Sequence, residues 1–214
     1  MGLLDRLAPR RIDADAPAGP SVATDDPVFA TKALRKFLTC LTSRETPSLL
    51  DLGPVVGSNV SFFGEQLGCK IFVEDIFADL DRHARQGRLG ELPPFLKKRF
   101  PQESATVDGI LCWDLIDYLD KAAAQELALE LTRLLRPEGA LLAFFGGNPP
   151  RESHYTKYIV KDEVNLKYRP YSAARGRQTV LLNRDIIRLF PGLRVSDSFL
   201  LQNNLREILF RKPA

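Results

Sequence analysis

The residues whose types and spacing can do chemistry lie in Leu49-Leu50-Asp51-Leu52-Gly53-Pro54-Val55-Val56-Gly57-Ser58-Asn59. An apolar run ends in an acid, a turn bounded by Gly53 and Gly57 follows, and Val60 to Leu67 places apolar residues at helical spacing. Strand, glycine turn and helix form the first half of a nucleotide-binding βαβ unit. Glycine belongs where backbone lies close to a ligand or takes a positive φ. The helix start, at Ser58 and Asn59, directs free N–H groups at that ligand. Asp51, closing the strand, is placed to hold an ammonium group. About 20 residues further on, where a carboxylate grips ribose hydroxyls, stand Glu74 and Asp75. Counting from Gly57 selects Glu74, whereas aligning on Gly68 and Ile76 selects Asp75, and both remain candidates.

This stretch resembles the first motif of the class I S-adenosylmethionine-dependent methyltransferases, acid-x-Gly-x-Gly-x-Gly. It stands here as Asp51-Leu52-Gly53-Pro54-Val55-Val56-Gly57, with Val55 at the middle glycine. The resemblance implies S-adenosylmethionine as cofactor, with Asp51, Gly53, Gly57, Ser58, Asn59, Glu74, Asp75 and Asp114 around it. It implies a Rossmann-like α/β fold with a seven-stranded mixed sheet ending in an antiparallel hairpin. A β-branched residue at position 55 disfavours positive φ. The expectation is therefore either a turn rearranged so that Val55 packs into the core, or a partly filled cofactor site.

The positioning elements follow in order. Asp26-Pro27 reads as a helix start, and Val28, Ala33, Leu34, Phe37, Leu38 and Leu41 give one apolar stripe to about residue 43. Ser48–Asp51 is the first strand, residues 58–67 a helix closed by Gly68, and 69–75 a second strand. Residues 77–89 read as a helix with His83 on its solvent face. Leu92-Pro93-Pro94-Phe95 reads as loop, no third strand is evident before Pro101, and Gln102 and Glu103 are the only guesses for an adenine contact. Val107 to Leu119 resembles the family's fourth strand, with Trp113 and Asp114 at its exit, where open α/β sheets bind ligands. A helix over 121–135 leads through Arg136-Pro137-Glu138-Gly139 into a strand at 140–145. Asn148-Pro149-Pro150 imitates a signature of amino-methylating nucleic-acid enzymes, but at the wrong strand. Alternating apolar residues over 154–172 suggest an inserted hairpin, placed at about 151–175, with exposed Tyr155, Tyr158, Tyr168 and Arg169 on the substrate side. A last helix starts at Asn183, and two strands meet at Gln202-Asn203-Asn204.

Composition bounds what this can be. The 214 residues suit one domain over 27–214 behind a leader at 1–26 that mixes Pro, Ala, Asp and Arg without a period. A net charge of +3 carries no nucleic-acid signal. No uninterrupted apolar run reaches the roughly 20 residues of a transmembrane segment. Cys40, Cys69 and Cys112 are odd in number and in apolar surroundings, so they read as reduced core residues of a cytoplasmic protein, with no metal site. The leading function is S-adenosylmethionine-dependent methyl transfer to a small-molecule or protein acceptor that the sequence does not name. The catalytic base stays unassigned, with His154 the only candidate. The alternatives are a non-catalytic interaction protein retaining the fold and, disfavoured by the Arg-Pro-Glu-Gly turn and terminal hairpin, a nicotinamide-dependent oxidoreductase.

Overall fold

The computed structural model describes residues 26–147, 154–178 and 180–214. The proposed leader, apart from Asp26, and the Asn148-Pro149-Pro150 stretch lie outside them. In chain order the elements are β1 (Val28–Ala30), α1 (Ala33–Leu41), β2 (Ser48–Asp51) and α2 (Gly57–Val60), which continues as a π-helix over Ser61–Gln66. Then come β3 (Lys70–Val73), α3 (Ile76–Arg85), α4 (Leu92–Leu96), β4 (Val107–Trp113) and a 3-10 turn at Leu115–Tyr118. The chain closes with α5 (Lys121–Leu134), β5 (Leu135–Gly146), β6 (His154–Asp162), β7 (Asn165–Ser172), α6 (Asn183–Leu189), β8 (Arg194–Leu200) and β9 (Leu205–Arg211).

The main sheet has the order β3-β2-β4-β5-β9-β8. β3, β2, β4 and β5 run parallel, and β9 pairs antiparallel with both β5 and β8. The four inner strands, β2, β4, β5 and β9, are largely buried on both faces, as a sheet covered on both sides requires. Successive side chains alternate between two cores. Leu50, Ile110, Cys112, Leu141, Ala143 and Ile208 pack with α3, α4, α5 and α6. Leu49, Leu111, Leu142, Phe144 and Leu209 pack with α1 and with Phe62 and Phe63 of the π-helix.

Four expectations change. The sheet has six strands among the described residues where the resemblance implied seven: between β3 and β4 the chain forms α3, a helical turn and α4, and no further strand. Pro93 and Pro94 do not keep this region in a loop: they occupy the first turn of α4, where missing N–H groups cost nothing and φ is already helical. Leu92 and Leu96 thereby enter the core. Asp26-Pro27 does not start a helix. Val28–Ala30 is instead a short strand on β7, in a second three-stranded sheet of order β1-β7-β6. Helix α1 begins later, its first N–H groups at Lys32 and Ala33 donating to the buried Glu207 carboxylate at 2.8 and 2.9 Å, a negative charge on a helix N-terminus. His83 is buried, not on a solvent face, with Nδ1 2.7 Å from the Asp79 carbonyl and its ring against Phe95.

Candidate functional site

Asp51 is buried at the carboxyl end of β2. Its Oδ1 accepts from the Gly53 N–H at 2.9 Å and from the Trp113 indole N–H at 2.6 Å. Burial pushes its carboxyl up to about 6, against the pull of the Gly53 and Trp113 donors; Asp75 adds a like charge. At Gly53 an added methyl would meet the indole at 2.9 Å, so the glycine is what allows the ring to lie on the turn.

The first expectation for Val55, packing into the core, does not hold: the residue is 67% exposed and is not among those with positive φ. The turn reaches the helix without a left-handed residue at this position, and a valine facing water satisfies it. At Gly57 a methyl would meet nothing within 4 Å. Val56 caps α2 without a side-chain hydrogen bond, and Gly57 and Ser58 are exposed at its start. Asn59 is different. Its amide donates to the Tyr158 carbonyl and accepts from the Val160 N–H, both at 2.8 Å, and so docks β6 against the helix start.

The two acids after β3 part ways. Glu74 turns to Arg99, 2.6 Å away, which also holds Asp79 at 2.8 Å. Asp75 caps α3, accepting from the Ala78 N–H at 3.0 Å. Burial raises its carboxyl, the Ala78 N–H and Lys157 counter this, and Asp79 adds to it. Asp75 is near enough to Asp51 to act on it as a like charge, and both Glu74 and Asp75 lie past Val73, the last residue of β3.

At the exit of β4, Trp113 takes φ +50, an outlier for a bulky residue. The twist coincides with an irregular register against β5 and lets the indole stack on Tyr158, with centroids 5.1 Å apart and planes within 5°. Asp114 is fully buried. Its Oδ2 accepts from Arg177 at 2.8 Å, and the Tyr118 hydroxyl stands 3.4 Å away. Asp117 Oδ2 accepts from the Gly146 N–H at 2.7 Å and lies 3.7 Å from Arg177 Nε. Burial raises both carboxyls, Asp117 to about 7, with Arg177 pulling each down. Burial also works against the Arg177 charge, but Asp114, Tyr118, Tyr158 and Asp117 outweigh it and hold the guanidinium charged. A methyl on Gly146 would stand 2.1 Å from Arg177 Nη1, so glycine makes room for this guanidinium.

A cavity of about 220 Å³, lined among others by Gly146, His154, Thr156, Tyr158, Tyr168 and Arg177, opens beside this group. A larger one, about 710 Å³, lies between α5 and α6 and includes none of the residues picked from the sequence. The smaller cavity, bordering the carboxyl end of β5, is the one next to the chemistry. The hairpin expected at 151–175 forms β6 and β7, but Tyr155 and Tyr158 are buried in the two cores and only Arg169 of the four named residues is exposed. β6 and β7 cover the sheet's carboxyl end, so their aromatics face inward. Of the sequence-derived residues, Asp51 and Gly53 share a hydrogen bond, Asp75 acts on Asp51 as a like charge and Asp114 pairs with Arg177, while none of the four lines the smaller cavity. Asn59 and Glu74 serve internal contacts. Sequence reasoning missed Asp117 and Arg177. Arg177 lies in a stretch without periodicity, and Asp117 follows Asp114 with no pattern to mark it. Of the three cysteines expected in the core, Cys69 and Cys112 are buried and Cys40 is only partly so.

No protein-family model matches the chain, and no curated protein matches its sequence. Solved structures do share its fold. It is similar to an S-adenosylmethionine-dependent methyltransferase from Clostridium acetobutylicum, with 11% identity, 85% of this chain and 92% of that one covered, and a TM-score of 0.51. A protein from Pyrococcus horikoshii matches at 18% identity over 85% of this chain and 92% of that one, with a TM-score of 0.50. The [4+2]-cyclase SpnF matches at 11% identity over 85% and 81%, with a TM-score of 0.51. The fold is the Rossmann-like α/β fold of the class I methyltransferases. The cyclase, with the same fold, shows why a fold does not settle the reaction.

Proposed function

We propose that this chain binds S-adenosylmethionine and transfers its methyl group to an acceptor. The observation that carries the reading is Asp51: a buried carboxylate at the carboxyl end of a parallel strand, oriented by its own glycine turn and by Trp113. The residues present fit the cofactor. A methyl added at Gly57 would meet nothing within 4 Å, so the turn is open at the helix start.

Asp51 would hold the cofactor's ammonium group, Asp75 its ribose hydroxyls, and the Gly57 and Ser58 N–H groups would add donors at the helix start. Glu74, committed to Arg99, supports the strand end instead. When bound, the cofactor supplies a sulfonium-borne methyl group for in-line displacement. The protein's part is orientation and exclusion of water. Trp113 and Tyr158 stack on each other, both buried, with the indole hydrogen-bonded to Asp51. No residue is assigned as catalytic base: the His154 side chain borders the small cavity, and its carbonyl accepts from the Tyr118 hydroxyl at 2.8 Å.

Calorimetric titration with S-adenosylmethionine and its demethylated product tests this directly. Saturable binding that weakens ten- to hundredfold in Asp51→Ala is expected, the loss of a charge-assisted contact worth about 1.5–3 kcal/mol. Absence of binding at millimolar cofactor would overturn the methyl-transfer reading and favour the alternative of an interaction protein retaining the fold. The packing of Trp113, Tyr158 and Arg177 into the cleft is the one feature on that side.

A further inference from the structure

The chain's five tyrosines and its single tryptophan form two runs of packed rings, and Tyr118 and Tyr158 of these stand beside Asp114. Tyr118 packs on Tyr155 at 4.9 Å and Tyr155 on Tyr171 at 5.5 Å, while Trp113 stacks on Tyr158, which packs on Tyr168 at 5.0 Å. Asp114 and Asp117 lie among them with the Arg177 guanidinium, which also sits 5.7 Å from the Tyr118 ring centre. Carboxylates framed by aromatic faces form the chemistry that recognises an organic cation.

Arg177 satisfies this site only in part. Asp117 Oδ1 and the Tyr171 hydroxyl are buried without a hydrogen-bond partner; Asp114 Oδ1 has none within bonding geometry either, although the Tyr158 hydroxyl acts on this carboxyl, and the Tyr155 hydroxyl faces Asp81. A finished internal ion pair leaves no such orphans, because each costs free energy. Two carboxylates also face one guanidinium. Arg206, which acts on Asp117 electrostatically, gives its own hydrogen bonds to Asn183 and the Leu181 carbonyl. Arg177 itself arrives on the segment between β7 and α6, which has neither helix nor strand among its described residues, and it borders the 220 Å³ cavity.

We propose that Asp114, Asp117 and the surrounding tyrosines form a recognition site for an amine or guanidine cation, and that Arg177 is its internal occupant in the ligand-free chain. The inference rests on the methyl-transfer reading in one respect: it makes this ligand the acceptor. Its nitrogen, once a proton has passed to Asp114 or Asp117, takes the methyl group as the sulfonium's carbon–sulfur bond breaks and the neutral thioether leaves. A cationic ligand entering from the cavity displaces Arg177 and takes up the unpartnered oxygens.

The test uses agmatine, with urea as the uncharged control, titrated by calorimetry into the wild type, Arg177→Ala and the double variant Arg177→Ala/Asp114→Asn. Arg177→Ala is expected to bind agmatine at least tenfold more tightly than the wild type, to ignore urea, and to lose the gain in the double variant. Equal affinity in wild type and Arg177→Ala, or equal binding of urea, overturns the site. A second measurement needs no variant and covers the case in which Arg177→Ala does not fold. Saturating agmatine should raise amide hydrogen exchange across residues 173–182 of the wild type, and unchanged exchange means that Arg177 is a fixed strut. Repeating the titration at saturating S-adenosylmethionine separates the two sources of cation: retained agmatine binding supports the acceptor site, and full competition assigns the pocket to the cofactor and overturns the acceptor claim. Agmatine binding by a chain that takes no cofactor keeps the cation site while removing the methyl-transfer reading. Cofactor binding without agmatine binding does the reverse.

Discussion

A carboxylate must be ionised to hold an ammonium group, and Asp51 ionises only near 6 because burial outweighs its two donors. Cofactor affinity is therefore expected to rise as pH increases through about 6 and then to level off, with Asp51→Asn showing a weak, flat profile. Titrations from pH 5 to 8 check this, and a flat wild-type profile removes Asp51 from the binding set. The acids after β3 make a second contrast at the same scale. Asp75→Ala should weaken cofactor binding tenfold or more, whereas Glu74→Ala should lower stability through Arg99 and leave affinity within about twofold. The reverse pattern would hand the ribose role to Glu74. Val55→Gly makes a third test. Its side chain faces water and its φ is ordinary, so affinity should not change. The melting temperature should fall instead, since the added backbone freedom of the unfolded chain costs roughly 0.4–1 kcal/mol. Tighter binding in the glycine variant would show that the valine obstructs the cleft after all.

Among the elements, the hairpin of β6 and β7 carries more of the fold than a substrate-side appendage. Asn59 is the clamp: its amide pairs with the main chain of Tyr158 and Val160 as a neighbouring strand would. Removing it in Asn59→Ala leaves a buried carbonyl and a buried N–H unpaired, an expected loss of about 2–4 kcal/mol. Denaturant unfolding measures this, and faster amide exchange at Val160 would place the damage in β6; a loss under about 0.5 kcal/mol would mean that β6 is held by its aromatics alone. The sequence showed the hairpin through alternation, and it showed β2, β4 and β9 through apolar runs bounded by turns. It did not show which face of the hairpin is buried. The inward face is chosen by Trp113, Phe77 and Tyr118, all distant in sequence. Periodicity likewise missed α4, because two prolines read as a break unless they fall in a first turn. Asp51 and the turn were legible because their chemistry is local. Arg177 was not, because its partners are 63 and 60 residues away.

For the molecule as a whole, these buried acids set how stability follows pH. Asp51 and Asp117 ionise near 6 and near 7 when folded, and Asp114 is also raised, with burial the leading cause in each. An unfolded aspartate ionises near 3.9. Between those values the folded chain binds more protons than the unfolded one, so stability falls as pH rises from about 4 to about 7 and is level above that. The acids with lowered values, Asp26, Glu91, Asp162 and Asp197, act in the opposite sense but below this window. For Asp51 the shift corresponds to about 2–3 kcal/mol. The midpoint of urea unfolding should therefore drop between pH 5 and pH 7.5, and Asp51→Asn, which keeps the shape without the charge, should flatten much of that slope. A cation bound at Asp114 and Asp117 would stabilise their ionised forms and counter the same decline. Unfolding at pH 7.5 with and without agmatine then reads the two effects in one experiment. A midpoint that rises from pH 5 to pH 7.5 would show that these carboxyls are already ionised in the folded chain, with Arg177 and the indole outweighing burial.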